Sequence, residues 1–248
     1  MALQALLWDV DGTLAETERD GHRLAFNRAF ADVGVPLHWD AVRYGELLAI
    51  SGGGERITFA LTELLGEPPP PEMVAELQAR KQDHYGALVA AGELRLRPGV
   101  AELIATAGSA GLSQVIVTTS ARAAVAALAE HLLGGLCQHF AFWVCGEDVA
   151  RKKPDPEAYR LALQQLGYPA STVLALEDSG NGLAAAASAG LACLLTLSHY
   201  GSAEPPQRFA RAVVDQLGAR AAVLRGPACQ GGQITLSYVQ ALLKDSPT

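Results

Sequence analysis

Apolar positions along this chain follow two rhythms. Leu3 to Trp8 is a nearly unbroken apolar run of strand length, the pattern of a strand buried on both faces. It ends in Asp9-Val10-Asp11-Gly12-Thr13-Leu14, followed by a short polar connection, Ala15-Glu16-Thr17. The rhythm then turns helical. Ala25, Phe26, Ala29, Phe30 and Val33 fall on one face, and Gly34 supplies a stop. Leu47 to Ile50 runs into Ser51-Gly52-Gly53-Gly54, which reads as a loop of high backbone freedom. A helix resumes over Arg56 to Leu65, Pro68 to Pro71 breaks it, and a long helix is predicted over Glu72 to Leu88. No strand pattern occurs between Leu14 and about residue 96.

Arg97-Pro98-Gly99 punctuates a change. A helix over Val100 to Ala110 leads to the β-branched strand Val115 to Val117, which stops at Thr118-Thr119-Ser120. An alanine-rich helix and a strand over Phe140 to Cys145 follow. In Lys152-Lys153-Pro154-Asp155-Pro156, Asp155 suits a helix N-cap and Pro156 the first helical position. Ala158 and Ala162 mark the buried stripe of that helix. Val173 to Leu176 is a strand ending at Glu177-Asp178-Ser179; Gly180-Asn181-Gly182 opens a helix that stops at Gly190; Leu191 to Leu197 and Ala212 to Val214 are read as the last strands. The final few residues read as a loose tail. Strands and helices alternating from residue 97 onward predict an α/β class, a doubly wound Rossmann-like parallel sheet. The first strand belongs to that sheet, and an all-helical block is inserted after it.

The 248 residues suffice for one large domain with a modest insert, and 50% of them are hydrophobic. A net charge of −7 disfavours nucleic acid and anionic membrane as partners. Cys137, Cys145, Cys193 and Cys229 form no Cys-x-x-Cys pair and no zinc spacing, so they read as core thiols in a reducing compartment. No apolar stretch approaches the roughly 20 residues of a membrane span. The expectation is a cytoplasmic protein, or one of a soluble organelle such as a plastid if a transit peptide has been removed.

Two carboxylates one residue apart repel, and both stay ionised only beside a cation or hydrogen-bond donors. The carboxyl end of a strand in an α/β sheet is where ligands bind. Asp9 and Asp11 are therefore candidates for Mg²⁺ and phosphoryl chemistry; the alternative is an Asp-Gly turn with exposed carboxylates. Thr118, Lys153 and the pair Glu177 and Asp178 also lie at strand ends or just ahead of a helix. Taken singly they read as a strand-end hydroxyl, a solvated lysine and an acidic helix start. Their order and flanks give them joint meaning.

That order resembles the haloacid dehalogenase-type phosphatase superfamily over essentially the whole chain. Asp9 to Leu14 is similar to its first motif, Val115 to Thr118 to its second, Lys153-Pro154 to its third and Glu177-Asp178-Ser179 to its fourth. The helical insert resembles the subgroup with a small cap after the first motif. The resemblance implies a core of 1–16 and 97–248 and an all-helical cap domain of 17–96. Ala15-Glu16-Thr17-Glu18, Gly21 to Asn27 and Glu177 to Leu183 resemble CbbY proteins, phosphatases of sugar bisphosphates such as xylulose-1,5-bisphosphate. Trp8 stands where the more usual residue is Phe, and Gly54 lies near where related cap loops often carry a lysine.

The implied activity is a Mg²⁺-dependent phosphatase of a small sugar phosphate, working through an aspartyl-phosphate. Phosphoryl transfer needs an attacking oxygen, positioning and charge neutralisation. Asp9 is the expected nucleophile and Asp11 the acid and base. Thr118 is expected to bond the phosphate and Lys153 to offset its charge. Asp9, Asp11, Glu177 and Asp178 are the expected metal set. Glu16, His22, Arg56, Lys81, Thr119 and Ser120 are candidates for substrate contact. The protein is expected to act as a monomer. A phosphomutase of the β-phosphoglucomutase type and a phosphoglycolate-type phosphatase are the alternatives. A signalling receiver domain would be about half this length, with its acidic pair near the chain start.

Overall fold

The computed structural model describes residues 2–201 and 209–243. Its sheet has the order β3-β2-β1-β4-β5-β6-β7. The strands are β1 (Ala5–Trp8), β2 (Ser113–Val117), β3 (Phe140–Val144), β4 (Val173–Glu177), β5 (Ala192–Thr196), β6 (Ala212–Val214) and β7 (Val223–Arg225). All neighbours pair in parallel except β6 and β7. Side chains alternate across the sheet. From β1, Leu6 and Trp8 enter one apolar cluster and Ala5 and Leu7 the other. The first face is covered by α5 (Val100–Ser109), α6 (Arg122–Leu128) and α9 (Leu236–Ala241), the second by α7 (Glu157–Leu166) and α8 (Gly180–Ser188). Trp8 is fully buried, and its indole N–H donates to Gln114 Oε1 at 3.0 Å, so the larger ring leaves no polar atom stranded.

Between β1 and β2 lie a π turn over Glu18–His22 and then α1 (Arg23–Val33), α2 (Ala41–Leu47), α3 (Gly53–Leu65) and α4 (Pro71–Ala90). This helical block has its own apolar cluster, centred on Phe26, Phe30, Trp39 and Tyr44. Gly34 ends α1 at φ 73°, as the stop signal requires.

Three expectations shift. Gly53 and Gly54 belong to the first turn of α3 rather than to a loop, because both pack closely: a Cβ on Gly53 would stand 3.3 Å from the Phe26 ring, and one on Gly54 2.6 Å from the Gln78 amide. The N-cap of α7 is Pro156 rather than Asp155, whose carboxylate accepts the Glu157 amide at 3.0 Å. β7 and α9 carried no usable signal: β7 is a three-residue edge strand with Leu224 exposed, and α9 is a six-residue helix. Most of the expected loose tail lies outside the described residues. No helix among the described residues is long and apolar enough to cross a membrane.

Candidate active site

β1 lies between β2 and β4, so the loops that follow these three strands meet over one edge of the sheet. The Asp9 amide donates to Leu176 O at 3.0 Å, which extends the β1–β4 pairing to the carboxylate itself. Lys153 comes from the loop ahead of α7. Its Nζ donates to Asp9 Oδ1 at 2.7 Å, Glu177 Oε1 at 2.6 Å and Val117 O at 2.8 Å. All three N–H bonds are used, and the side chain is buried. The ends of β1, β2 and β4 are thus held together by the one ammonium of Lys153.

Oxygens of Asp9, Glu177 and Asp178 lie within 4.8 Å of one another. Burial pushes the Asp9 carboxyl up, Lys153 opposes this, and Glu177, Asp178 and Asp11 push it up further. Burial and the charge of Glu177 push Asp178 up to about 8, against a hydrogen bond from Ser198. Burial would lower the Lys153 ammonium, but Asp9 and Glu177 outweigh it and hold the group above its ordinary value. One permanent cation therefore faces three buried carboxylates. Glu177 Oε2 is buried without a partner, while Oε1 takes both Lys153 and the Tyr159 hydroxyl. A surplus of buried acceptors with an orphaned oxygen fits a divalent, oxygen-seeking cation such as Mg²⁺. Gly12, at φ 81°, permits the approach: a Cβ there would stand 2.0 Å from Asp178 Oδ2.

The Asp11 side chain has partners of its own. It accepts from the Thr17 and Ser120 hydroxyls and pairs with His22 Nε2 at 2.8 Å. Burial pushes its carboxyl up, but the His22 charge and these three hydrogen bonds prevail and hold it well below the usual carboxylate range. His22 is buried and stacks on Tyr85 at 4.1 Å. The π turn over Glu18–His22 aims it at Asp11.

A cavity of about 290 Å³ opens between the sheet edge and the helical block, lined by Asp9, Asp11, Thr119, Lys153, Asp178 and Arg56 among others. A second cavity, of about 350 Å³, shares Arg56 and Thr119 and reaches His22, Lys81 and Ser120. Arg56 stands between them. Its guanidinium donates to the Tyr44 hydroxyl at 2.8 Å and Ile50 O at 3.0 Å and faces Glu18 at 3.6 Å. Lys81 has no hydrogen-bond or ion-pair partner among the described residues. Its Nζ lies 5.1 Å and 5.2 Å from the Phe26 and Tyr85 ring centroids, and burial lowers it to about 8.

Two sequence candidates do not line these two cavities. Glu16 turns to Arg97, 3.2 Å from its Nε, and lines a groove on the far side of the first connection. Thr118 is buried, with its hydroxyl accepting the Ser120 amide at 3.1 Å, so it shapes the loop after β2 while Thr119 lines the cavities. Sequence reasoning overlooked Tyr44 and Tyr159, which bond Arg56 and Glu177, and Asn181 and Tyr200, which line the first cavity. Tyr44 and Glu18 meet Arg56 from separate helical turns, and no spacing rule links them. Tyr159 sits on the predicted buried stripe of α7, where an aromatic reads as core.

Over residues 3–190 the chain matches the family model for haloacid dehalogenase-like hydrolase. The chain belongs to this family. This haloacid dehalogenase-like hydrolase is 45% identical over 199 residues to Protein CbbY of Cereibacter sphaeroides, covering 80% of this chain and 86% of that protein. It is 39% identical to the CBBY-like protein of Arabidopsis thaliana, covering 86% of this chain and 69% of that one. Among solved structures, CbbY from Rhodobacter sphaeroides in complex with phosphate aligns at a TM-score of 0.79 and 42% identity, over 86% of this chain and 94% of that one. A mutant of the same CbbY, in complex with xylulose-(1,5)bisphosphate, aligns equally well. With these relatives the hydrolase is a CbbY-like phosphatase.

Proposed function

We propose that this phosphatase is Mg²⁺-dependent and removes one phosphate from a small sugar bisphosphate, with xylulose-1,5-bisphosphate the foremost candidate, through an aspartyl-phosphate. The observation that carries the reading is the junction of Asp9, Lys153 and the buried acidic pair beneath a helical block that supplies Arg56 and Lys81. In that reading 17–96 is the cap and 1–16 with 97–248 the core. The bisphosphate complex of the 42% identical CbbY supports the choice of sugar.

Asp9 is the nucleophile. Its oxygen forms a bond to phosphorus as the bond from phosphorus to the sugar oxygen breaks. The proton lies between the ionised Asp11 carboxylate and His22, 2.8 Å apart, and Asp11 passes it to the leaving oxygen as that oxygen gains charge. A water then attacks phosphorus and gives its proton to Asp11; phosphate leaves, and Asp9 is restored. Lys153 keeps Asp9 aligned and offsets the phosphoryl charge, and Thr119 and Ser120 present the loop after β2 to the phosphate. Asp9, the Asp11 main-chain carbonyl, Glu177 and Asp178 would hold Mg²⁺, which when bound neutralises the charge of phosphate and carboxylates. Arg56 and Lys81 take the second phosphate, and His22 closes the wall between. In this reading the enzyme acts as a monomer.

The test is a phosphate-release screen over sugar mono- and bisphosphates, including xylulose-1,5-bisphosphate and ribulose-1,5-bisphosphate, with Mg²⁺ and with EDTA. Free phosphate from xylulose-1,5-bisphosphate, lost on chelation, is expected. An isomeric sugar phosphate formed without phosphate release would make the protein a mutase.

A further inference from the structure

The chemistry proposed above makes no use of Arg97, a buried arginine on the second connection between the helical block and the sheet. A guanidinium carries five N–H bonds; here the four on the Nη atoms each have a carbonyl acceptor, and the fifth lies beside a carboxylate. Nε faces the Glu16 carboxylate at 3.2 Å. Nη1 donates to the carbonyl oxygens of Gly12 and Thr196, the latter at 3.1 Å. Nη2 donates to those of Leu197 at 2.6 Å and Asp215 at 2.8 Å. The Arg97 main-chain N–H donates to Leu14 O at 2.8 Å.

These acceptors come from separate segments. Gly12 and Leu14 belong to the turn that presents Asp11, and Glu16 lies on the first connection. Thr196 ends β5, Leu197 follows it, and Asp215 follows β6. Both passages of the chain between sheet and helical block therefore meet at one guanidinium. The same group reaches the acidic pair through close packing: a Cβ on Gly12 would stand 2.0 Å from Asp178 Oδ2 and 2.9 Å from Ser198 Cβ. Ser198, next to Leu197, hydrogen-bonds Asp178.

We infer that Arg97 is a positioning residue: it fixes both connections of the helical block to the Asp11 turn, so that closure of the block and alignment of Asp11 are set together. Lysine cannot replace it. An ammonium has three donors on one atom, and the four carbonyl acceptors here surround a planar fork with Glu16 beside its Nε. Loss of the fork frees the Asp11 turn and both hinges at once, and a displacement of about 1 Å at such a site costs roughly a hundredfold in rate.

Arg97→Lys tests this in the full-length protein by amide hydrogen exchange and by two substrates. Exchange over residues 11–16 and 196–198 is expected to rise about tenfold or more, while β1 and β4 stay protected. Turnover of the best sugar phosphate is expected to fall roughly a hundredfold. The p-nitrophenolate burst from p-nitrophenyl phosphate, which reads phosphoryl transfer before any water attacks, is expected to slow less than about threefold, because this leaving group departs without a proton from Asp11. A merely weakened fold would lower both rates in proportion and leave their ratio unchanged. That constant ratio, or unchanged exchange at 11–16, would overturn the inference. Should Arg97→Lys fail to fold, Glu16→Ala removes a single acceptor and is expected to give a smaller rise in exchange confined to the connections; uniform exchange would count against the inference. The inference relies on the sugar phosphatase reading only for one substrate. The exchange measurement uses none, so failure of the sugar screen and failure of the staple are told apart.

Discussion

Burial beside Glu177 pushes the Asp178 carboxyl up to about 8, and this has a consequence for stability. As pH rises from about 4 to about 8, an unfolded chain releases this proton while the folded one retains it, so stability of the metal-free protein falls across that window. Asp9 is displaced in the same direction. Melting in EDTA should therefore drop between pH 5 and pH 8, by roughly 2–4 °C for each kcal/mol lost. Mg²⁺ should restore it at pH 8, because a ligand of the folded state stabilises it. Asp178→Asn should shrink the fall to the part that Asp9 contributes and weaken the rescue by Mg²⁺; a flat wild-type profile in EDTA would show that the acidic set is not under strain. Lys81 works in the opposite sense. Burial lowers it to about 8, so free enzyme loses this charge as pH rises past that value. KM for a bisphosphate should climb above about pH 8, and Lys81→Met should raise KM about tenfold at pH 7 while flattening the climb, the loss of one charge-assisted contact. An unchanged KM would remove Lys81 from the second-phosphate site.

Glycines decide where the elements begin near the site. Ser179 caps α8, its hydroxyl accepting the Gly182 amide at 3.1 Å. The Glu177 carboxylate folds beneath that first turn, and a Cβ on Gly182 would stand 1.8 Å from Glu177 Oε2. Gly182→Ala should displace Glu177 and lower turnover at least about tenfold with helix content unchanged by circular dichroism, since a small misplacement of a catalytic set is costly. Wild-type turnover would mean that Glu177 is free to move. The acidic pair and its glycines were readable in the sequence because a strand end and a helix start each leave a local signature. The start of α3 was not. Glycine is a poor helix former, by about 1 kcal/mol relative to alanine, so Gly53 and Gly54 read as loop. Their reason for being helical lies in Phe26 and Gln78, which reach them from other helices.

Across the whole molecule, the sheet order brings the ends of β1, β2 and β4 to the one ammonium of Lys153. Each motif closes a strand or precedes a helix, so the parallel topology alone predicts their convergence, and the sequence sufficed to name them. The helical block was legible as helices but not as contacts. Glu16 turned to a hinge arginine, and Arg56 found Tyr44 and Glu18, partners set by packing rather than by spacing. The claim on which the rest depends is that the Asp9 carboxylate accepts phosphorus. Rapid acid quench of enzyme with xylulose-1,5-bisphosphate and Mg²⁺, followed by peptide mass analysis, tests it most directly. The account predicts the added mass of one phosphoryl group on the peptide that holds Asp9, absent in Asp9→Asn, which stays folded and inactive. Phosphate released at the wild-type rate by Asp9→Asn would contradict it.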